Sequence, residues 1–270
     1  MEISPAVLSA AFVLGLMAGS FLNVCIWRIP AEEQVARGRS HCRGCRKPIA
    51  WYDNIPLVSF AVLGGRCRHC RAQISWQYPA VELATGLLFA GLVARFGLTG
   101  QTAAYAVLGA ALIVLAVIDL REMFLPDEIT LPGISAGVVM SYFLPELHGA
   151  ASRWGGLWAS ASGVLGGAGV VWLIRAVGTF LLKKEAMGLG DVKLMAMVGG
   201  FLGFWKTLGV ILFLGPVLGS CVGLALIARK GYKAVRLTPM PYGPMLVLGT
   251  FVALFWGDAM IGWYLRCFGI

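Results

Sequence analysis

The sequence predicts an all-α polytopic membrane protein of about eight transmembrane helices, with a small cytoplasmic zinc-binding loop domain between helices 1 and 2. Three observations predict it. Of the 270 residues, 59% are hydrophobic and 13% charged, whereas soluble domains are roughly half apolar and about a quarter charged. Several apolar runs reach the ~20 residues needed to cross a bilayer, which excludes a soluble protein with a large core. A single long polar segment interrupts them, and it carries four cysteines in two C-x-x-C pairs.

Run length and flanking charge place the spans approximately at Ala6 to Trp27, Tyr78 to Ala94, Ala103 to Ile118, Leu131 to Phe143, Gly156 to Leu182, Val192 to Phe204, Leu208 to Ala228 and Met240 to Leu265. The fourth and sixth are short. The chain thus divides into a first transmembrane helix (1–27), a four-cysteine zinc domain (28–77) and a membrane domain of about seven helices (78–270). The 36 glycines suit helices whose backbones pack closely without a hydrophobic drive between them.

The first span lacks the basic stretch that precedes the apolar core of a cleaved signal peptide: only Glu2 lies ahead of it, and Arg28 follows. That asymmetry puts the N-terminus outside and the next loop in the cytoplasm. Alternation then places Arg121, Lys183, Lys184, Arg229, Lys230, Lys233 and Arg236 on the same side as the Arg28 to Arg71 loop. Only Arg95, Arg153, Lys206 and Arg266 fall outside. The net charge of +9 follows mostly from this bias, with anionic membrane lipid as its partner and no nucleic acid required.

In the polar segment stand Cys42-Arg43-Gly44-Cys45 and Cys67-Arg68-His69-Cys70. Paired C-x-x-C units supply four thiolates, which close a tetrahedral shell and predict a structural zinc ion. Disulfides suit a reducing compartment poorly. Arg43, Arg46, Arg66 and Arg68 can offset the charge of the cluster, and His41 and His69 read as solvated neighbours. Cys25, Cys221 and Cys267 read as small packing residues in or beside spans, and His148 has no evident task. Trp76 and Tyr78 suit the headgroup belt. Glu82, just inside the second span, either snorkels back or lines a polar pocket.

Two acids stand at span ends. Asp119 closes the third span, and Asp191 opens the sixth within Gly188-Leu189-Gly190-Asp191-Val192-Lys193. Glycines let backbone leave helical geometry and approach a ligand, and an acid at the membrane edge is a functional candidate by default. The topology puts both at the cytoplasmic boundary, where two carboxylates can share a proton and activate water. Asp127, after Pro126, is the rival to Asp119; it belongs to the interfacial loop or caps the fourth span. Glu122 and Glu128 read as solvated. Lys193 either neutralises charge near Asp191 or snorkels.

The chain resembles the type IV prepilin peptidases, the bifunctional leader peptidases and N-methyltransferases. The resemblance rests on Gly19-Ser20-Phe21-Leu22-Asn23-Val24 with Arg28 and Pro30, on Trp51-Tyr52-Asp53-Asn54-Ile55-Pro56 between the cysteine pairs, and on Ile118-Asp119 with Leu125-Pro126-Asp127. It rests further on Gly188 to Leu194, similar to G-x-G-D-x-K-L, and on Pro241-Tyr242-Gly243-Pro244. One departure is Ile74-Ser75-Trp76-Gln77-Tyr78-Pro79, where the family usually has a basic residue before the tyrosine.

The resemblance implies that Asp119 and Asp191 form a catalytic dyad of a GxGD-type aspartyl protease, supported by Gly188, Gly190 and Lys193. It implies prepilin and pilin-like substrates with a basic leader cut after glycine, and a place in the bacterial inner membrane. It also implies methylation of the new N-terminus with S-adenosylmethionine, for which the residues alone show no glycine loop. Candidates toward that methyl donor are Gly65, Glu82 and Asn23; for Asn23, interhelical hydrogen bonding is an equal reading. Two other classes are a proton-coupled transporter, although no inverted repeat is visible and the cysteine loop would be unexplained, and a non-enzymatic pilus or secretion assembly factor.

Overall fold

The computed structural model describes residues 3–36, 40–183, 187–232 and 240–267. The expectations placed on Glu2, Lys184, Lys233 and Arg236 lie outside the described residues.

Helix α1 (Pro5–Arg28) starts where the Ser4 hydroxyl accepts the Val7 N–H and Pro5 supplies a preset φ. The cysteine segment follows with a 3₁₀ turn (Trp51–Asn54) and a short helix α2 (Val58–Val62). Then come α3 (Gln77–Phe96), α4 (Gly100–Glu122), α5 (Asp127–Phe143), a 3₁₀ turn (Pro145–His148), α6 (Arg153–Leu182) and α7 (Leu189–Leu202). Gly203, at φ 76°, ends α7, since that conformation suits a residue without Cβ. A continuous rod follows: α8 (Phe204–Gly209), a π-helical turn (Val210–Leu214) and α9 (Gly215–Lys230). The π turn stands just ahead of Pro216, which has no N–H for the regular ladder. Helix α10 (Gly243–Cys267) closes the chain.

Each expected span overlaps a helix, but the expected count of about eight membrane-crossing helices is not confirmed. Among the described residues, six stretches (α1, α3, α4, α6, the α8–α9 rod and α10) are long and apolar enough to cross a membrane by length and composition. The two short expected spans are α5, with 17 residues, and α7, with 14. Asp119 and Asp191 both lie inside helices, near the last turn of α4 and in the first turn of α7.

Two compact units are distinguished, Met1–Val114 and Leu115–Ile270. In the first, α1 and α3 meet backbone to backbone: a Cβ on Gly15 would lie 2.7 Å from Gly86 Cα, and one on Gly19 2.7 Å from Glu82 Cα. In the second, α7 is buried by α5 and α6, and Leu194 to Leu202 are all buried. That burial explains how 14 residues of high hydropathy serve: they form a core for longer helices. Cys25 is buried as expected, but Cys221 and Cys267 are exposed, so they do not pack in the protein interior.

Candidate active site and four-cysteine cluster

Asp119 and Asp191 line one cavity of about 640 Å³, together with the loop residues Phe124 and Leu125 and the Tyr242 ring. Both acids are buried, at 6% and 8% exposure, and the charge of Asp119 acts on Asp191. Each is also held by a backbone N–H at the start of a helix. The Gly243 N–H donates to Asp119 Oδ2 at 3.0 Å. The N–H of Gly188, the cap of α7, donates to the carboxylate of Asp191 three residues on, in the manner of a capping box. Two helix N-termini thus orient the pair, and partial positive charge there favours a carboxylate neighbour.

The glycines have steric reasons. A Cβ on Gly243 would stand 2.6 Å from Asp119 Oδ2, and one on Gly190 2.9 Å from Leu125 Cβ. In the sequence, Pro241 to Pro244 stand out only through the family resemblance, and a glycine between prolines carries no signal for the role of the Gly243 N–H. Asp127 is neither an N-cap nor a partner of Asp119. It is the first residue of α5, and Lys193 Nζ lies 2.7 Å from both of its oxygens. Lys193 therefore ties α7 to the start of α5, rather than pairing with Asp191.

The cysteine segment folds into two matching knuckles. Cys42 N–H donates to Lys47 O and Arg46 N–H returns to Cys42 O; Cys67 N–H donates to Ala72 O and Arg71 N–H returns to Cys67 O. Arg46 and Arg71 occupy corresponding positive-φ positions, at 57° and 60°. The four sulfurs lie within 4.8 Å of one another, and Cys42 Sγ to Cys70 Sγ is 3.7 Å. Tetrahedral zinc with bonds of about 2.3 Å requires sulfurs about 3.8 Å apart, so the donor set fits zinc. Backbone N–H groups of Cys70 and His69 pull the Cys67 thiol down to about 6, whereas Cys70, despite the Ala72 N–H, is pushed up to about 11 by desolvation and the neighbouring thiols. None of the seven cysteines is in a disulfide. Two of the four nearby arginines are engaged elsewhere: Arg43 stacks 3.0 Å over the Trp27 ring and Arg68 pairs with Asp53 at 2.6 Å.

The three candidates toward a methyl donor each have a local task. Asn23 Nδ2 donates to Tyr78 O (3.1 Å) and Gly19 O (3.3 Å), tying α1 to α3. Glu82 Oε2 accepts the Leu57 N–H at 2.9 Å, so it neither snorkels nor faces open solvent. Gly65 turns the chain at φ 67° against the Phe60 ring.

The fold and site define a polytopic helical membrane protein with a paired-acid cavity and a four-thiol cluster, the class of membrane-embedded peptidases. The model of the bacterial peptidase A24 N-terminal domain matches residues 13–96, and that of the type IV leader peptidase family matches residues 106–224. A prepilin leader peptidase/N-methyltransferase of Aeromonas hydrophila is 36% identical over 96% of this chain and 94% of its own length. One of Stutzerimonas stutzeri is 35% identical over 95% and 93%, and one of Myxococcus xanthus 41% over 83% and 64%. This chain belongs to the prepilin leader peptidase/N-methyltransferase family. No solved structure matches it.

Proposed function

We propose that the protein cleaves the leader peptides of prepilins and pilin-like secretion proteins at the cytoplasmic face of the bacterial inner membrane, then methylates the new N-terminus. The observation that carries the reading is the burial of Asp119 and Asp191 in one cavity, each fixed by a glycine N–H. Like charges in one poorly solvated cavity cannot both ionise cheaply, so the pair holds one proton between them. The ionised carboxylate takes a proton from water as the oxygen attacks the scissile carbonyl carbon. The protonated partner donates a hydrogen bond to the carbonyl oxygen. The C–N bond of the tetrahedral intermediate then breaks, and the departing nitrogen receives a proton from the dyad.

The N-terminus lies outside and the cysteine loop in the cytoplasm, as the distribution of basic residues supports. The cluster of Cys42, Cys45, Cys67 and Cys70 holds zinc in a structural role, because four sulfurs leave no open position. S-adenosylmethionine supplies the electrophilic methyl group for the second activity. Asn23, Glu82 and Gly65 are the candidates toward this donor; each also makes contacts within the protein, and Asn23 Oδ1 is buried without a hydrogen-bond partner. Family membership does not favour a transporter or an assembly factor.

The test is incubation of purified protein with a prepilin, followed by mass spectrometry of the product with and without S-adenosylmethionine. It reads the cut and the methyl group together. Asp119→Asn and Asp191→Asn should each lower cleavage at least about 100-fold with helix content unchanged. Retained cleavage in either variant would sink the dyad.

A further inference from the structure

The polar segment contains one stretch that does not behave as a polar loop. Residues 55–63, Ile-Pro-Leu-Val-Ser-Phe-Ala-Val-Leu, carry no charge. Ile55, Val58 and Val62 are exposed, at 41%, 55% and 75%. We propose that this stretch is a re-entrant element that enters the hydrocarbon layer beside α1, where lipid acyl chains cover Ile55, Val58 and Val62.

Depth is the first argument. The Leu57 N–H bonds Glu82 Oε2, and the Glu82 backbone packs against Gly19 of α1. Asn23 of α1 meets Tyr78 O at the start of α3, and Gly19 and Glu82 each lie four residues, about 6 Å, further along their helices from that level. The cleft between this stretch and α1, about 740 Å³, is lined by Ile55 and Val58, by Met17 and Phe21, and also by the polar Arg28 and Ser40. Met17 and Phe21 are among the most exposed apolar residues of α1, at 60% and 53%. In a spanning helix those positions face lipid, so the stretch borders the lipid-facing stripe.

The second argument is the handling of polar groups. Non-helical backbone at membrane depth needs protein partners, because lipid supplies none. Val58 N–H donates to Pro56 O at 2.6 Å across Leu57, which has φ 60° and ψ −46°. That is a γ-turn in its rare positive-φ form, a strained geometry. It turns the Leu57 N–H toward α3, where a buried carboxylate meets it. The Ile55 N–H is taken by Ser59 Oγ (3.0 Å), whose own proton goes to Tyr52 O (2.9 Å). A water-exposed loop would need neither a buried acid nor a hydroxyl relay. Glu82 is thus a positioning residue for the inserted turn. This inference stands whether or not Asp119 and Asp191 are catalytic.

The full-length protein, reconstituted in phospholipid vesicles, tests it. A genetically encoded environment-sensitive fluorescent amino acid replaces Val58, with Phe21 as the membrane reference and Gln34 as the aqueous one. At Val58, chain-brominated lipid should quench as at Phe21, and aqueous iodide severalfold less than at Gln34. Iodide quenching equal to that at Gln34 overturns the proposal, since it describes a surface loop. Quenching by neither agent also overturns it, because protein would then cover the stretch. In a second arm, Glu82→Ala removes the acceptor and should raise iodide access at Val58, whereas Glu82→Gln keeps a carbonyl acceptor and should not. Equal iodide access in both variants would show that Glu82 does not hold the turn.

Discussion

Gly243 and Asp119 show how little room the candidate site leaves. The Gly243 N–H holds Asp119 Oδ2 at 3.0 Å, and a methyl group at Gly243 would press on the same oxygen from 2.6 Å. Displacement of a reacting group by about 1 Å costs on the order of 100-fold in rate. Gly243→Ala should therefore lower prepilin cleavage by about that factor while α-helical content measured by circular dichroism stays unchanged. Asp127 makes the opposite case. Its ion pair with Lys193 is well exposed on both sides, at 35% and 52%, and exposed pairs contribute only about 0–1 kcal/mol. Asp127→Asn should retain most of the cleavage activity in the same assay; abolished cleavage there would move the catalytic role away from Asp119. The sequence marks both acids of the proposed dyad, Asp191 by the glycines ahead of it and Asp119 by the long apolar run it closes. It does not mark the donors, since any residue but proline carries a backbone N–H and only the fold decides which one points at a carboxylate.

At the scale of elements, α7 is the piece around which α5 and α6 are arranged. A Cβ on Gly199 would collide with the Gly163 carbonyl of α6, and the converse is also true, so the two backbones touch. The Gly200 carbonyl receives Ser160 Oγ at 2.9 Å from α6 and Ser141 Oγ at 3.1 Å from α5. Gly199→Ala should lower thermal stability in detergent by about 2 kcal/mol or more, as overpacking a rigid contact does. Beside this knot, His148 Nε2 lies 2.8 Å from Ser141 Oγ. Burial, and then the charge of Lys206, push His148 down to about 4. The free imidazole titrates near 6.5, so from that pH downward the unfolded chain binds a proton that the folded chain refuses. Stability should fall as pH drops from about 6.5 toward about 4. In melts at about pH 7.5 and about pH 5, this acid loss should be smaller in His148→Gln, by on the order of 1 kcal/mol. The sequence offered His148 no task because its partners are distant backbone and hydroxyl groups. The helix pattern itself was readable throughout. The extra turn at the start of α5 was not, since Asp127 reads as a loop or cap residue until Lys193 is seen to pair with it.

On the scale of the whole molecule, the two compact units divide the chemistry: the four cysteines lie in Met1–Val114 and both acids in Leu115–Ile270. The knuckles have little apolar packing. Their cysteines are half-buried or exposed, and each knuckle closes on a few backbone hydrogen bonds. With the proposed zinc bound, structure of that kind depends on the metal, because ligand binding free energy is folding free energy there. The second unit has a buried core in α7, which is independent of the cysteines. A strong chelator should therefore release one zinc ion per chain and speed amide hydrogen exchange across residues 42–74, while the amides of Leu194 to Leu202 keep their protection. Restoring zinc should restore the slow exchange in the knuckles. Simultaneous loss of protection in α7 would mean that the two units unfold as one, and the separate stabilities argued from burial and hydrogen bonding would be wrong.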